Sequence, residues 1–338
     1  MTVMPFDAQG FERSLDGAVA ELDRAAEFGQ VIAGTIDRIY FIAPGAPNRI
    51  MQGLRYWIET YSPSLEVRCY YPAEFMAMTP PRLDERTLVV LASKSGKTME
   101  SVAVAKFLQS KPCQTVVVTQ AADRPIAQYV DTQFLIGETS EPFYGVFMIL
   151  QALVGGLLAG RGTWPQLPAL LSSLAALPRV LAQTVEFQNQ RAAIEAERFR
   201  NDKVLYLIGS GPMFTLTYYV GVCILQESQW MHCLPIEAAE LFHGPFEAIE
   251  ADVPVVLMLG EDNSRQIAER AVAFCDRYSS RTAVYDSREI DMPGIADTVR
   301  SMLAPYVLGI AVERIAAHLA DIHGQPLTTT RYMGKVPY

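Results

Sequence analysis

The stretch "TLVVLASKSGKTMESVAVAKFLQ" (residues 87–109) runs from a continuous apolar segment, through a short polar loop, into an amphipathic helical pattern. An apolar run of this length without polar alternation predicts a strand buried on both faces, as in a parallel sheet. The helix that follows is the crossover such a sheet requires. The loop between them, "SKSGKT" (93–98), places hydroxyls, a glycine and two lysines at a helix N-terminus. Backbone N–H groups, hydroxyls and nearby positive charge are what a phosphate group needs. Ser93, Ser95 and Thr98 can donate hydroxyl hydrogen bonds, and Lys94 and Lys97 can offset charge. The alternative is an ordinary N-capped turn. A nucleotide P-loop requires a glycine five positions before its second glycine. Counting back from Gly96 reaches Leu91, inside the strand, so that reading fails.

Working outward, the same plan occurs twice. "RIYFIAPG" (38–45) is a β-rich run ending at Gly45, followed by a helical stretch from about Arg49; "KVLYLIGSG" (203–211) leads likewise into "PMFTLTYYVGVCILQE". "EVRCYY" and the 87–109 segment in the first half answer to "MHCLPI" and "VPVVLMLGEDNSRQIAERAVAF" in the second. Each half adds one more strand, "QTVVVT" (114–119) or "RTAVYD" (281–286). Strands alternating with amphipathic helices predict a duplicated α/β fold, two mostly parallel sheets with helices on both faces. The expected division is an N-terminal helical segment over 1–30, a first domain over 31–160, a helical linker over 161–200 and a second domain over 201–338.

Composition bounds what the chain can do. Half of its 338 residues are hydrophobic and 19% are charged, which predicts a folded core rather than disorder. A net charge of −9 argues against nucleic acid as a partner, while leaving room for a small anionic substrate. The five cysteines form no CxxC pair, so neither a disulfide framework nor a zinc site is expected, no metal or cofactor is implied, and a reducing cytoplasm fits. The N-terminus lacks the apolar run of a signal peptide. "FYGVFMILQALVGGLLAG" (143–160) is uncharged, but Gln151 interrupts it and Glu141 precedes it. The expectation is a buried core or dimer-interface helix, and no membrane span.

The densest chemistry lies in "ELFHGPFE" (240–247), with three carboxylates, a histidine and a Gly-Pro break. It reads either as a helix with an acidic face or as a turn presenting His243 for acid–base work. The combined motifs resemble the double sugar-isomerase (SIS) domain family. "SxSGxT" marks only that superfamily, whereas "QESQW", "ELFHGPFE" and the tail "PLTTTRYMGKVPY" (326–338) are similar to its fructosamine-6-phosphate deglycases, relatives of the isomerase half of glucosamine-6-phosphate synthase.

The resemblance implies two flavodoxin-like domains and a deglycase acting on a phosphorylated sugar–amine conjugate. The ketoamine would pass through an enolamine to a C1 imine, which water hydrolyses to an aldose phosphate and a free amine. With no glutaminase domain ahead of the pair, cleavage is expected over synthesis. By family position, Glu227 is implied as the C1 proton-transfer base and His243 as the ring-opening acid, with Glu240 orienting His243 or binding a hydroxyl. The 16-residue spacing from Glu227 to His243 is expected to bring both to one end of the sheet. Lys335 matches a C-terminal lysine that enters the active site of the synthase. His323, close to the tail, is either another participant or, as expected, a structural residue, and His232 and His318 are expected to be core or surface residues. Gly45 belongs to the first phosphate-site turn, but Pro47 stands where the family has a serine, and proline donates neither hydroxyl nor N–H. Arg49 or Lys94 is expected to compensate, or else the substrate carries its phosphate differently or carries none. Related activities that use the same Glu and His are aldose–ketose isomerisation and amino-sugar phosphate deamination, and the other class is a sugar-phosphate sensor. The family resemblance also implies a homodimer with sites near its interface.

Overall fold

The computed structural model describes residues 3–336. Its strands form two separate parallel sheets. β1 (Arg38–Ile42), β2 (Glu66–Tyr70), β3 (Thr87–Ser93), β4 (Gln114–Thr119) and β5 (Thr132–Leu135) lie in the order β2-β1-β3-β4-β5. β6 (Val204–Gly209), β7 (His232–Glu237), β8 (Val255–Leu259) and β9 (Thr282–Asp286) repeat it as β7-β6-β8-β9. Every pairing is parallel, with Arg38 opposite Thr87 in the first sheet and Tyr206 opposite Val255 in the second. The central strands β1, β3 and β8 are buried along their whole length, as the unbroken apolar runs require. This is the doubly wound α/β fold that the sequence predicts, in its flavodoxin-like order.

The helices are α1 (Ala8–Ser14), α2 (Asp16–Ala20), α3 (Leu22–Ile32), α4 (Gly45–Tyr61), α5 (Pro72–Met78), α6 (Met99–Leu108), α7 (Pro142–Gly160), α8 (Leu167–Phe199), α9 (Pro212–Tyr218), α10 (Arg265–Tyr278) and α11 (Asp297–His323). One compact unit comprises residues 9–179 and 293–299; the other comprises 3–8, 180–292 and 300–336. The division falls inside α8, one residue after Pro178, which removes a backbone donor from the helix.

The uncharged 143–160 segment is the core helix α7, and 89% of its most apolar window is buried within the chain. It packs on α3 so closely that a Cβ at Gly156 would stand 2.0 Å from the Ala26 carbonyl oxygen, and one at Gly29 would stand 2.2 Å from that of Leu153. Its apolar surface is therefore used inside one chain, and the alternative of a dimer-interface helix is set aside. A second long apolar helix, α11, is likewise 83% buried over its window.

Two elements depart from the sequence reading. β5 is a four-residue edge strand, too short and too polar to register as an apolar run. The stretch after β6 is not one α-helix: α9 gives way to a π-helical segment over Tyr219–Gln229. π-helix is rare, most often a single turn, and concentrates at functional sites. This one ends at Glu227–Gln229.

Candidate active site

In a doubly wound sheet, ligands bind beyond the C-terminal strand ends where the strand order reverses. In the first sheet that point lies between β1 and β3, so the β1–α4 turn and the "SKSGKT" loop flank it. Gly96 is the pivot of the loop. Its φ is +60°, and a Cβ there would meet the Cβ of Arg124 at 2.4 Å, so no other residue fits without displacing the chain. Thr119 fixes the loop base by donating to the Ser93 carbonyl at 2.8 Å.

The predicted phosphate ligands divide into two kinds. Ser93 is 6% exposed; its Oγ accepts the Gly96 N–H at 3.2 Å and lies 3.4 Å from the Thr98 hydroxyl, so it closes the loop. Ser95, Lys94, Lys97 and Thr98 are exposed at the start of α6. No side chain caps that helix, so the ordinary N-capped turn is not what forms; its first amides have no side-chain acceptor, and exposed hydroxyls and lysines surround its start. Lys94 also acts on Glu141, whose pKa is raised by burial against the opposing effects of the Ser140 hydroxyl and the Lys94 charge.

Gly45 opens α4 at φ +60°, with open space where a Cβ would stand. Pro47 lies in the first turn of that helix and supplies no donor. Of the two cations expected to compensate, Arg49 is buried and donates to the Tyr71 hydroxyl. Lys94 remains exposed on the loop.

Glu227 lies in the second unit, at the end of the π-helical segment, in an open cleft of about 530 Å³. Gln226, Trp230 and His232 line one side, and Thr330, Arg331, Tyr332 and Met333 of the C-terminal tail line the other. The tail is anchored there by a set of polar contacts. Gln229 donates to the Gln325 carbonyl at 2.8 Å, Gln325 donates back to the Ser228 carbonyl, and His323 bridges Gln229 Oε1 at 3.0 Å and the Arg200 carbonyl at 2.8 Å. His323 thus links the tail to Gln229 and to the Arg200 carbonyl. Glu227 keeps solvent access, yet desolvation by its surroundings raises its pKa above the ordinary glutamate value. Lys335 is on the exposed tail, and its Nζ donates to the Thr330 carbonyl; it is not among the residues lining the cleft.

His243 is presented differently. "ELFHGPFE" forms two short 3₁₀ turns, Leu241–His243 and Pro245–Ala248, broken by Gly244 at φ 137°. Phe242 and Phe246 pin them edge-on to Phe274 of α10, with centroids at 5.5 and 5.7 Å, and Arg270 stacks on Phe242 at 4.0 Å. His243 is exposed at the tip, and Glu240 supports it through its backbone carbonyl, which accepts the His243 N–H at 3.0 Å.

The expectation that Glu227 and His243 share one end of the sheet is corrected. Glu227 precedes β7 and His243 follows it, so the strand separates them rather than returning the chain. Six residues at ~3.3 Å each span about 20 Å. His232, without a motif in the sequence, lines the Glu227 cleft from the first position of β7. His318 is buried on Asn189 Oδ1 at 2.8 Å, and burial lowers its pKa. Among the described residues no His, Cys, Asp or Glu cluster could hold a metal ion, and all five cysteines are free thiols.

Comparison with known proteins agrees with this fold. Residues 35–157 match the family model for the SIS domain. The chain is 33% identical over 326 residues to the fructosamine deglycase FrlB of Bacillus subtilis, covering 95% of this chain and 99% of that one. It is 31% identical over 335 residues to the agropine synthesis conjugase of Rhizobium rhizogenes, covering 96% and 93%. A crystal structure from Bacillus subtilis, assigned to the phosphosugar isomerases, superposes with a TM-score of 0.87 at 31% identity, covering 96% of this chain and all of that one. The chain belongs to the SIS-domain family, in its fructosamine-deglycase group. It is an enzyme of sugar-phosphate deglycase or isomerase type.

Proposed function

We propose that the protein cleaves the sugar–amine bond of a fructosamine 6-phosphate, giving an aldose 6-phosphate and a free amine. The observation that carries this reading is Glu227, a carboxylate in an open cleft with a pKa raised by desolvation. A base of raised pKa is better matched to proton abstraction near neutrality. In the proposed sequence Glu227 takes the C1 proton of the ketoamine and the C2 oxygen is protonated, giving the enolamine. Return of a proton at C2 gives the C1 imine, water adds to C1, and the C1–N bond breaks with the proton going to the departing amine. The "SKSGKT" loop takes the phosphate, through Ser95, Thr98, Lys94 and the leading amides of α6, while Ser93 and Gly96 keep its shape. His243 opens the sugar ring. Because Glu227 and His243 stand at opposite ends of one sheet, the pair acting on one sugar comes from two chains, and the working form is a homodimer. We place it in the cytoplasm, where its free thiols stay reduced.

A second reading has its own support. The likeness to a conjugase, together with Pro47 where a phosphate-binding serine is expected, favours the same chemistry run towards joining sugar and amine, on an unphosphorylated sugar. Release assays separate the two. Aldose 6-phosphate and amine appearing together from phosphorylated conjugates, and lost in Glu227→Gln, are the expected result. Turnover of unphosphorylated conjugates alone favours the second reading. No release from any conjugate overturns the deglycase.

A further inference from the structure

The Glu227 cleft contains more than proton transfer requires. Its wall holds Trp230 in left-handed backbone geometry, at φ 55° and ψ 28°. A bulky residue seldom adopts that conformation, and such strain persists where the surroundings enforce it, often at functional sites. The indole is 40% exposed, and the Arg331 guanidinium lies over its ring at 4.0 Å. That stack orients an otherwise flexible side chain over the cleft. Among the described residues no carboxylate pairs with Arg331, although Glu227 lines the same cleft. The other cation of the tail, Lys335, is committed to the Thr330 carbonyl. Arg331 is therefore a planar donor held over the cleft that Glu227 also lines, with its charge available to a ligand.

We infer that Trp230 and Arg331 form the subsite for the departing amine and select amines that carry a carboxylate. This rests on the deglycase reading. The proton taken by Glu227 is on C1, and the amine nitrogen is bonded to C1, so the substituent on nitrogen lies within a few ångströms of the Glu227 carboxylate. Within the cleft the indole offers a flat apolar wall for the carbon skeleton, and the guanidinium fork matches a carboxylate bidentately. The amine of choice is accordingly an amino acid, with its carboxylate on Arg331.

The test compares two synthetic substrates, the fructose 6-phosphate conjugates of glycine and of glycinamide, which differ in one charge. The wild-type enzyme is expected to favour the glycine conjugate by about 10–100-fold in kcat/KM, the range of a charge-assisted pair. Arg331→Met is expected to bring that ratio close to one, and Arg331→Lys to restore part of it. Loss of both activities in parallel in Arg331→Met, with the ratio kept, would show a merely structural tail residue and overturn the inference. Equal turnover of both substrates by the wild type would overturn it as well, leaving the deglycase intact. Turnover of neither overturns the deglycase reading and the subsite together.

Discussion

The two sheets share a strand order but differ at the crevice where that order reverses. In the first, the turn after β1 is open around Gly45, and the loop after β3 presents hydroxyls and lysines at an uncapped helix start. In the second, the corresponding space is filled. Met213, fully buried, packs against both strand ends, so that a Cβ at Gly209 or Gly260 would meet it at 2.9 or 3.0 Å. Ser264 donates to Ser210 at 3.1 Å, and Ser210 to the Ser264 carbonyl at 2.9 Å, tying the two loops together. The charge also inverts: "GEDNS" (260–264) replaces "SKSGKT", and Glu237, its pKa raised by burial, ends β7 nearby. Duplication supplied two crevices of one design; side-chain volume and charge leave the first open, with hydroxyls and lysines around it, and fill the second.

The largest effect expected from this contrast is on stability. Met213→Ala leaves a cavity where the second crevice is packed and should cost about 2–5 kcal/mol in urea unfolding. Fructose 6-phosphate affinity should stay within about twofold, since at the first crevice no contact is lost. A selective loss of sugar-phosphate binding would break the comparison. Gly96→Val tests the other side. The clash with Arg124 and the positive φ displace the loop, and calorimetric affinity for fructose 6-phosphate should fall by about 100-fold, the loss of one or two charge-assisted bonds. Unchanged affinity would remove the loop from the site.

The pH dependence is the next effect in size. Glu227 and Glu237 both have pKa values raised by burial, but only the first lies in the cleft. A base must be deprotonated to act, so kcat/KM should fall about tenfold per pH unit below the Glu227 pKa, along a limb above the ordinary glutamate value of about 4.3. Glu237→Gln should leave that limb in place. For stability the sign is opposite in sense: a carboxyl with a raised folded-state pKa binds more protons folded than unfolded, so its contribution is lost as pH rises through that value. Glu237→Gln should therefore flatten the decline in Tm over that window. The smallest effect belongs to Pro47→Ser, which restores a hydroxyl at the first crevice and should improve fructose 6-phosphate affinity by about 3–10-fold.

Much of the fold was legible because buried parallel strands read as unbroken apolar runs. "TLVVLAS" and "VVLML" are fully buried strands as the runs imply, whereas "TQFL" at an edge carries no such signal. The loop at 93–98 was legible from its hydroxyls and glycine. The reach of Glu227 and His243 was not, because sequence spacing does not reveal that β7 carries the chain away instead of back. The cleft partner Arg331 was hidden for a related reason: Gln229, Gln325 and His323 bring the tail to the π-helical end through contacts almost one hundred residues apart in the chain. The "QESQW" motif contained Trp230 in plain view, but its left-handed backbone is a property of the fold.

The central claim is that one sugar is worked on by Glu227 of one chain and His243 of another. Unfolding and co-refolding Glu227→Gln with His243→Ala, each inactive as a homodimer, tests it most directly. Random pairing makes half the dimers mixed, each with one intact site, so release activity should recover to about a quarter of wild type. No recovery in mixed dimers would contradict the account.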